Sequence, residues 1–224
     1  MHSLTQDIKS SFRRSVQAGD VHEAPYRHWF LRDVFPQPVF EELKGIPFPV
    51  MEIGDVSGTR EAHNPDRIYL AGENLEKFES VRASAEAFQD AETVALFANA
   101  YGASLKDTFV RIEYAQDTDG FWLKPHTDLG VKMFTMLIYM SDDPRHADLG
   151  TDIYADENTP VGRSPFEPNS AMIFIPSKTT WHGFEPRRIE GIRRSLIVNY
   201  VTNEWRAREQ LAFPQDPVRA KAAT

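Results

Sequence analysis

The feature that most constrains this fold is a change of hydrophobic period between the two halves of the chain. In residues 4–18 and 74–101, apolar side chains recur at helical spacing. After them, β-branched and aromatic residues gather in short runs separated by Gly, Pro, Asp and Asn. These predicted strands are 108–114, 121–128, 133–140, 152–155, 171–175, 179–184 and 194–202. Helices followed by many short strands predict an α+β protein with an antiparallel two-sheet sandwich or jelly roll, in which the helices buttress one sheet.

The chain contains no internal repeat, low-complexity segment or Gly/Ser linker, so we expect a single domain over residues 1–224. A mainly helical part over 1–105 precedes a β core over 106–202. The remaining residues, 203–224, are expected to form a C-terminal tail that begins with a short helix and frays.

Within the helical part, the aromatic stretch 26–36 predicts an opening strand, and 38–43 predicts a short helix. Residues 74–101 lack proline and predict two helical segments that meet near Asp90. Gly102 is suited to end the second of them, because glycine readily adopts the left-handed conformation that closes many helices.

Charge and composition exclude several classes of function. The chain has 33 acidic and 25 basic residues, a net charge of -8, whereas nucleic acids and anionic membranes attract clustered Lys and Arg. Neither is therefore expected as a partner. Since no apolar run approaches a spanning helix and the N-terminus lacks a signal-peptide core, we expect a cytoplasmic protein. The absence of cysteine excludes thiolate ligands and Cys nucleophiles, so any metal must be held by His and carboxylate.

A candidate metal site begins with His126 and Asp128. A strand period of two puts both side chains on the same face of an extended segment. His182, far downstream, would complete one triangular face of an octahedron and leave the opposite positions open, a geometry associated with non-haem Fe(II) oxygenases. A His-x-Asp pair alone is weak evidence for a metal site, because a buried His that is hydrogen-bonded to an Asp is an ordinary structural pair. The order of the elements gives it weight: two candidate ligands end one strand, the third lies on a later one, and Arg193 opens the last.

With these residues in this order, the sequence resembles the Fe(II)- and 2-oxoglutarate-dependent dioxygenases, particularly their prolyl-hydroxylase-like branch. The resemblance extends from about residue 26 to about residue 202. It implies a double-stranded β-helix core of the cupin-like kind. It also implies that His126, Asp128 and His182 correspond to the facial triad of iron ligands.

The resemblance further implies contacts to the cosubstrate. Arg193 follows Gly191 and precedes Ser195 in the family's Gly-x-Arg-x-Ser pattern, where the basic residue pairs with the distal carboxylate of 2-oxoglutarate and the serine assists. A planar Arg fork suits a carboxylate better than a Lys does. Strand parity favours Arg193, although a slip of the strand would leave the role to Arg194. Two tyrosines stand where related enzymes have cosubstrate contacts: Tyr114 and Tyr139.

The implied activity is hydroxylation of a small molecule or an amino-acid side chain, with Fe(II), 2-oxoglutarate and O2, through an Fe(IV)-oxo intermediate. Related halogenases replace the carboxylate ligand by a small residue, so Asp128 favours hydroxylation. Prolyl hydroxylases typically carry a Gly-Gly-Glu-like turn, whereas residues 148–152 of this chain differ from it. A prolyl substrate is therefore not expected.

Two alternatives stay open at this point. One is a cupin-like metalloenzyme that uses the same triad without 2-oxoglutarate, and the other is a catalytically silent β-sandwich that binds a metal or a partner structurally. The sequence does not predict the oligomeric state. A polar stretch over 50–72 fits either a solvated connector or a loop that contacts the substrate. In the second case, Arg60 and Arg67 would recognise an anionic group of the substrate.

Overall fold

The structure, a computed structural model, describes residues 3–50, 58–59 and 67–219. Its α-helices are α1 (Leu4–Gln17), α2 (Gln37–Lys44), α3 (Glu73–Lys77), α4 (Glu79–Gln89) and α5 (Ala91–Tyr101). Its strands are β1 (Asp20–His22), β2 (His28–Leu31), β3 (Ile68–Tyr69), β4 (Phe109–Asp117), β5 (Leu123–His126), β6 (Lys132–Tyr139), β7 (Asp152–Asp156), β8 (Thr159–Arg163), β9 (Ser170–Phe174), β10 (His182–Phe184) and β11 (Arg193–Val201).

Two antiparallel sheets form the core. The larger sheet has the strand order β1-β2-β9-β6-β11-β4-β3, and the smaller one has the order β5-β10-β7-β8. Consecutive strands of the β core alternate between the two sheets over much of its length, which is the arrangement of a jelly roll. The predicted α+β fold with a double-stranded β-helix core is confirmed.

The helices cover the outer face of the larger sheet. Leu196, Val198 and Tyr200 of β11 belong to the apolar cluster that includes residues of α1, α4 and α5. The Tyr200 hydroxyl also donates a hydrogen bond of 2.6 Å to the carbonyl of Phe88 on α4. Full burial of a side chain such as Phe88 stabilises the fold by roughly 1.5–3 kcal/mol. This face of the sheet is thus sealed, and a site on β11 has to lie on the opposite face.

The helix boundaries follow local chemistry. The Asp90 side chain accepts hydrogen bonds from the backbone N–H groups of Glu92 and Thr93, capping α5 directly after α4 ends. Gly102 has a left-handed backbone with φ of 69° and closes α5. The predicted junction near Asp90 and the end at Gly102 are confirmed. The stretch nevertheless forms three helices rather than the predicted two, because the extended backbone of Phe78 also separates α3 from α4. Among the described residues, none of the helices combines the length and apolar character that crossing a membrane requires.

The C-terminal segment differs from the predicted tail. A short 3-10 turn forms at Arg208–Gln210 rather than a helix directly after the core. Beyond it, the N–H groups of Ala212 and Val218 donate to the carbonyls of Val110 and Thr108, at 3.0 and 2.8 Å. Because Ala212 and Val218 are also buried, residues 211–218 pack along β4 and the segment that precedes it. The Ala- and Lys-rich end at 220–224, where fraying was expected, lies outside the described residues.

Candidate metal centre

The three predicted metal ligands meet in the cavity between the sheets. His126 ends β5 and His182 opens β10, and the two residues stand opposite each other in the antiparallel pair, with ring centroids 4.3 Å apart. The strand predicted to run to residue 128 is too long, because β5 ends at His126. Asp128 lies just beyond, yet the candidate ligand atoms of the three residues all lie within 4.8 Å of one another.

Both imidazoles are held in the tautomer that a metal needs. Nδ1–H of His126 donates to the carbonyl of Lys124, and Nδ1–H of His182 donates to that of Thr180, each at 3.0 Å. A carbonyl can only accept, so the proton sits on Nδ1 and Nε2 is left as the nitrogen that can bind a metal. Burial, reinforced by the neighbouring His126, lowers the pKa of His182 to about 4, so this imidazole is neutral at pH 7.

The Asp128 carboxylate has two hydrogen-bonded partners on β6. Lys132 Nζ lies 2.5 Å from Oδ1, and the Thr135 hydroxyl donates to Oδ2 at 2.6 Å. Burial opposes ionisation of this carboxyl, but Lys132, His182 and Thr135 together outweigh burial and hold the pKa of Asp128 below its ordinary value. Asp128 is therefore a carboxylate at neutral pH, as a metal ligand must be.

A row of polar side chains crosses the inner face of the larger sheet behind Asp128. Thr135 of β6, Asn199 of β11 and Arg111 of β4 are register partners on three adjacent strands. The Asn199 amide donates to the Thr135 hydroxyl at 2.9 Å, and its carbonyl oxygen accepts from Arg111 at 3.1 Å. The row connects the candidate metal ligand to a buried cation.

Arg111 in turn belongs to a buried charge cluster. Its guanidinium donates to Glu113 at 3.1 Å, to the Tyr69 hydroxyl at 3.2 Å and to the Gln210 side chain at 2.9 Å. Glu113 is also paired with Arg67, whose Nε lies 3.0 Å from Oε1. Arg67 lines the cavity, whereas Arg60 lies outside the described residues.

The predicted cosubstrate residues Arg193, Ser195 and Tyr139 line the same cavity. Ser195 and Tyr139 are register partners on β11 and β6. The Tyr139 hydroxyl donates to Thr151 at 2.9 Å and contacts the Ser164 hydroxyl at 2.5 Å. Hydroxyl groups and a guanidinium thus share one region of the cavity.

Arg193 is fully buried and has partners of its own. Its Nε donates to the carbonyl of Leu149 at 2.7 Å, and its Nη1 donates to Asp117 at 2.6 Å. The Arg193 side chain is 5% exposed and that of Asp117 is 0% exposed. Its guanidinium also stands over the Phe184 ring, 4.6 Å from the centroid. Arg193 is the member of the Arg-Arg doublet that lines the cavity, as strand parity predicts.

Tyr114 does not reach the cavity, and its predicted cosubstrate contact does not fit this placement. Its hydroxyl donates to the carbonyl of Leu43 at 3.0 Å, and its ring packs against Phe48, on the helical side of the larger sheet. Burial raises the pKa of Tyr114 to about 12, against the opposing effect of the neighbouring Arg194 guanidinium. The even-numbered positions of β4 and β11 here face the helices, which the sequence resemblance did not take into account.

The sequence did not single out several residues that surround the site: Thr135, Asn199, Arg111, Lys132, Thr151 and Asp117. Three of them left a signal, because Arg111, Thr135 and Asn199 are polar residues in the middle of apolar strands and share the inward parity. The other three, Lys132, Thr151 and Asp117, left no such signal, because each stands at the end of a strand or in a turn.

The donor set fits a divalent transition metal. Two neutral imidazoles and one carboxylate suit Fe(II), and three protein ligands leave coordination positions for exogenous molecules. The cluster of Arg193 with the hydroxyl groups of Ser195, Tyr139 and Thr151 fits a carboxylate, because a guanidinium and hydroxyl groups all donate hydrogen bonds to it. Both implied groups are therefore compatible with the residues present.

No family model matches the sequence, and no curated protein matches it either. Solved structures do match the fold. A prolyl-4-hydroxylase from Pseudomonas putida has a TM-score of 0.55 at 11% identity, with 91% of this chain and 94% of that chain covered. An oxidoreductase of the 2OG-Fe(II) oxygenase family from Burkholderia pseudomallei has a TM-score of 0.53 at 17% identity, covering 88% and 90%.

A third match is SnoN, a non-haem alpha-ketoglutarate-dependent epimerase from nogalamycin biosynthesis, with a TM-score of 0.53 at 12% identity and 98% and 95% of the two chains covered. These proteins share the architecture of this chain, but few of the aligned residues are identical. The chain therefore has the fold of the 2-oxoglutarate- and Fe(II)-dependent oxygenases, prolyl hydroxylases among them.

Proposed function

We propose that this protein is an Fe(II)- and 2-oxoglutarate-dependent oxygenase that hydroxylates a small molecule or an amino-acid side chain. The observation that carries the proposal is the arrangement of His126, His182 and Asp128. Two imidazoles with Nδ1 tied to backbone carbonyls converge with a carboxylate in the cavity of a jelly roll. The likeness of the fold to oxygenase structures supports it.

In this proposal the triad holds Fe(II), and Arg193 binds the distal carboxylate of 2-oxoglutarate with Ser195 and Tyr139. When bound, Fe(II) with 2-oxoglutarate supplies the O2-activating oxidative chemistry. The chain orients the reactants and excludes water, for which the aromatic rings packed between the sheets are suited: Phe121, Phe166, Phe174 and Phe184.

The proposal is tested by adding 2-oxoglutarate to the Fe(II)-loaded protein without O2 and recording the charge-transfer absorption of the chelate. We expect a saturable signal in the parent protein and none in His182→Ala. His22→Ala is the control, because His22 lies exposed on β1. On admission of O2, only the parent and the control should form succinate. Succinate formation by His182→Ala at the parent rate would rule the assignment out.

One observation favours a second candidate, a metalloenzyme that does not use 2-oxoglutarate. Arg193 is already paired with the buried carboxylate of Asp117, so an incoming carboxylate has to share the guanidinium. The same titration separates the two functions. A protein that binds Fe(II) through the triad, yet gives no absorption change and no calorimetric heat with 2-oxoglutarate, belongs to the second class.

A further inference from the structure

Cationic side chains from separate elements converge on the mouth of the cavity, which we call the outer cavity. Four of them line it: Arg67, Arg111, Lys124 and Lys132. Within the described part of that lining, Asp128 is the one acidic residue. The whole chain has a net charge of -8, so this concentration of positive charge runs against the composition. A cleft of one charge sign concentrates ligands of the opposite sign.

The few carboxylates nearby are engaged in the structure itself. Glu113 lies between Arg67 and Arg111 and contacts both guanidinium groups. Asp128 contacts Lys132, but it is also a candidate metal ligand. The charges of a divalent metal and a dianionic cosubstrate cancel, so binding both of them leaves the net positive charge of the outer cavity unchanged.

The cations are held in place before any ligand arrives. Arg111 is fixed by Glu113, Tyr69 and Gln210, and its guanidinium stands 4.9 Å from the Trp205 ring centroid. Glu113 also holds Arg67, whose side chain is only 12% exposed. Such preorganisation lowers the entropy lost when a ligand binds.

Apolar side chains complete the outer cavity. Leu123 and Trp205 line it, and so does Leu129, which is 61% exposed directly after the candidate ligand Asp128. An exposed large apolar side chain at the rim of a pocket can contact the carbon skeleton of a ligand. The outer cavity thus combines positive charge with a small apolar wall.

From this arrangement, and resting on the proposed oxygenase function, we infer that the outer cavity is a substrate subsite for an anionic small molecule. Arg67 and Lys132 bind its carboxylate or phosphate group, and Leu123, Leu129 and Trp205 contact its carbon chain. The substrate class is therefore organic acids or phosphate esters rather than neutral or cationic molecules.

The test uses protein loaded with Mn(II) and 2-oxoglutarate, titrated with hexanoate, hexyl phosphate and neutral hexanamide, three probes with the same alkyl chain. Binding is followed by tryptophan fluorescence, since Trp205 lines the subsite, and by calorimetry. We expect at least one anion to bind about tenfold or more tighter than hexanamide, as for a hydrogen bond to a charged group. The anion that binds more tightly shows whether the subsite takes a carboxylate or a phosphate group. Added KCl should weaken the binding of the anions and leave that of hexanamide unchanged.

Arg67→Met should remove the preference for the anion, and Arg67→Lys should restore part of it. Arg82→Met, on the exposed side of α4, is the control and should keep it. Variants that still bind Mn(II) and 2-oxoglutarate are folded. Equal binding of all three probes, absence of any binding, or a preference that survives in Arg67→Met each overturns the subsite.

Failure of the proposed function has a different signature. The same titrations are run on protein loaded with Mn(II) alone. If that protein prefers an anion through Arg67 but never binds 2-oxoglutarate, the oxygenase assignment is wrong and the anion subsite stands.

Discussion

Two tyrosines of this protein differ in the direction of one hydroxyl group, and the difference decides which of them can take part in the proposed chemistry. Tyr139 directs its hydroxyl to Thr151 in the cavity. Tyr114 directs its own to the carbonyl of Leu43 among the helices. Tyr139 on β6 and Tyr114 on β4 lie on the two strands that flank β11 in the larger sheet, so the two residues form a matched pair for removal of one hydroxyl oxygen.

We expect Tyr139→Phe to raise the Kd for 2-oxoglutarate about tenfold or more, because a hydrogen bond to a charged group such as a carboxylate contributes roughly 1.5–3 kcal/mol. The Kd for Mn(II) should not change. Tyr114→Phe should leave the Kd for 2-oxoglutarate as it is and act only on the free energy of unfolding. Calorimetric titration of both variants measures this. A larger loss of 2-oxoglutarate affinity in Tyr114→Phe would restore the role that the sequence suggested for Tyr114.

At the scale of elements, the metal centre depends on how closely β5 approaches β10. A Cβ atom added to Gly183 would lie 2.8 Å from the carbonyl oxygen of Leu123 and 3.2 Å from the nitrogen of Pro125. Both contacts are backbone atoms of β5 and cannot rotate away. Because His182 precedes Gly183 and His126 ends β5, any side chain at this position forces the two imidazoles apart.

Gly183→Ala is therefore expected to weaken Mn(II) binding at least about tenfold, as loss of ligand support typically does, and to destabilise the fold by about 1–3 kcal/mol through overpacking. Gly162→Ala on β8 is the matched control, since a Cβ there meets nothing within 4 Å. Chemical denaturation and Mn(II) titration compare the two. Equal metal affinities in the two variants would show that the approach of the strands does not position the ligands.

The whole molecule couples the metal to folding, because the ligands come from segments that only the folded core brings together. Mn(II) at about a hundred times its Kd should stabilise the protein by about 2.7 kcal/mol, which raises the Tm of a chain of this size by about 5–10 °C. A chelator should reverse the shift, and His126→Ala should lack it. Thermal scans with and without metal check this, and a full shift in His126→Ala would mean that the metal binds elsewhere.

Much of this architecture was predictable because helices and strands follow from the periodic spacing of apolar residues along the sequence. Alternation along β11 distinguishes Arg193 from Arg194, and the capping residue Asp90 marks the junction of α4 with α5. The short strands β1, β3 and β8 were not predicted. β8 is mostly exposed and contains Pro160, so no buried face imposes a pattern on it.

Only part of the candidate site was predictable, because only some of its residues share a pattern within the sequence. His126 and Asp128 belong to a spacing that the sequence displays, and His182 was found from the order of the elements, whereas the partners of Arg193 depend on tertiary contacts. Asp117 is 76 residues away from Arg193 along the chain, and no local signal connects them. The end of β5 at His126 was also missed, because the turn that brings Asp128 back to the imidazoles depends on Lys132 and Thr135 of the next strand.

The polar row behind Asp128 has a fixed direction. Arg111 can only donate, so the carbonyl oxygen of Asn199 has to face it and the amide nitrogen has to face Thr135. The Thr135 hydroxyl, receiving one hydrogen bond, has its single proton left for Asp128. None of these hydrogen bonds can reverse its direction, because the guanidinium of Arg111, where the row starts, has no atom that accepts a hydrogen bond. A proton on that oxygen of Asp128 would meet another proton, so the fold keeps the carboxylate ready for a cation before any cation arrives.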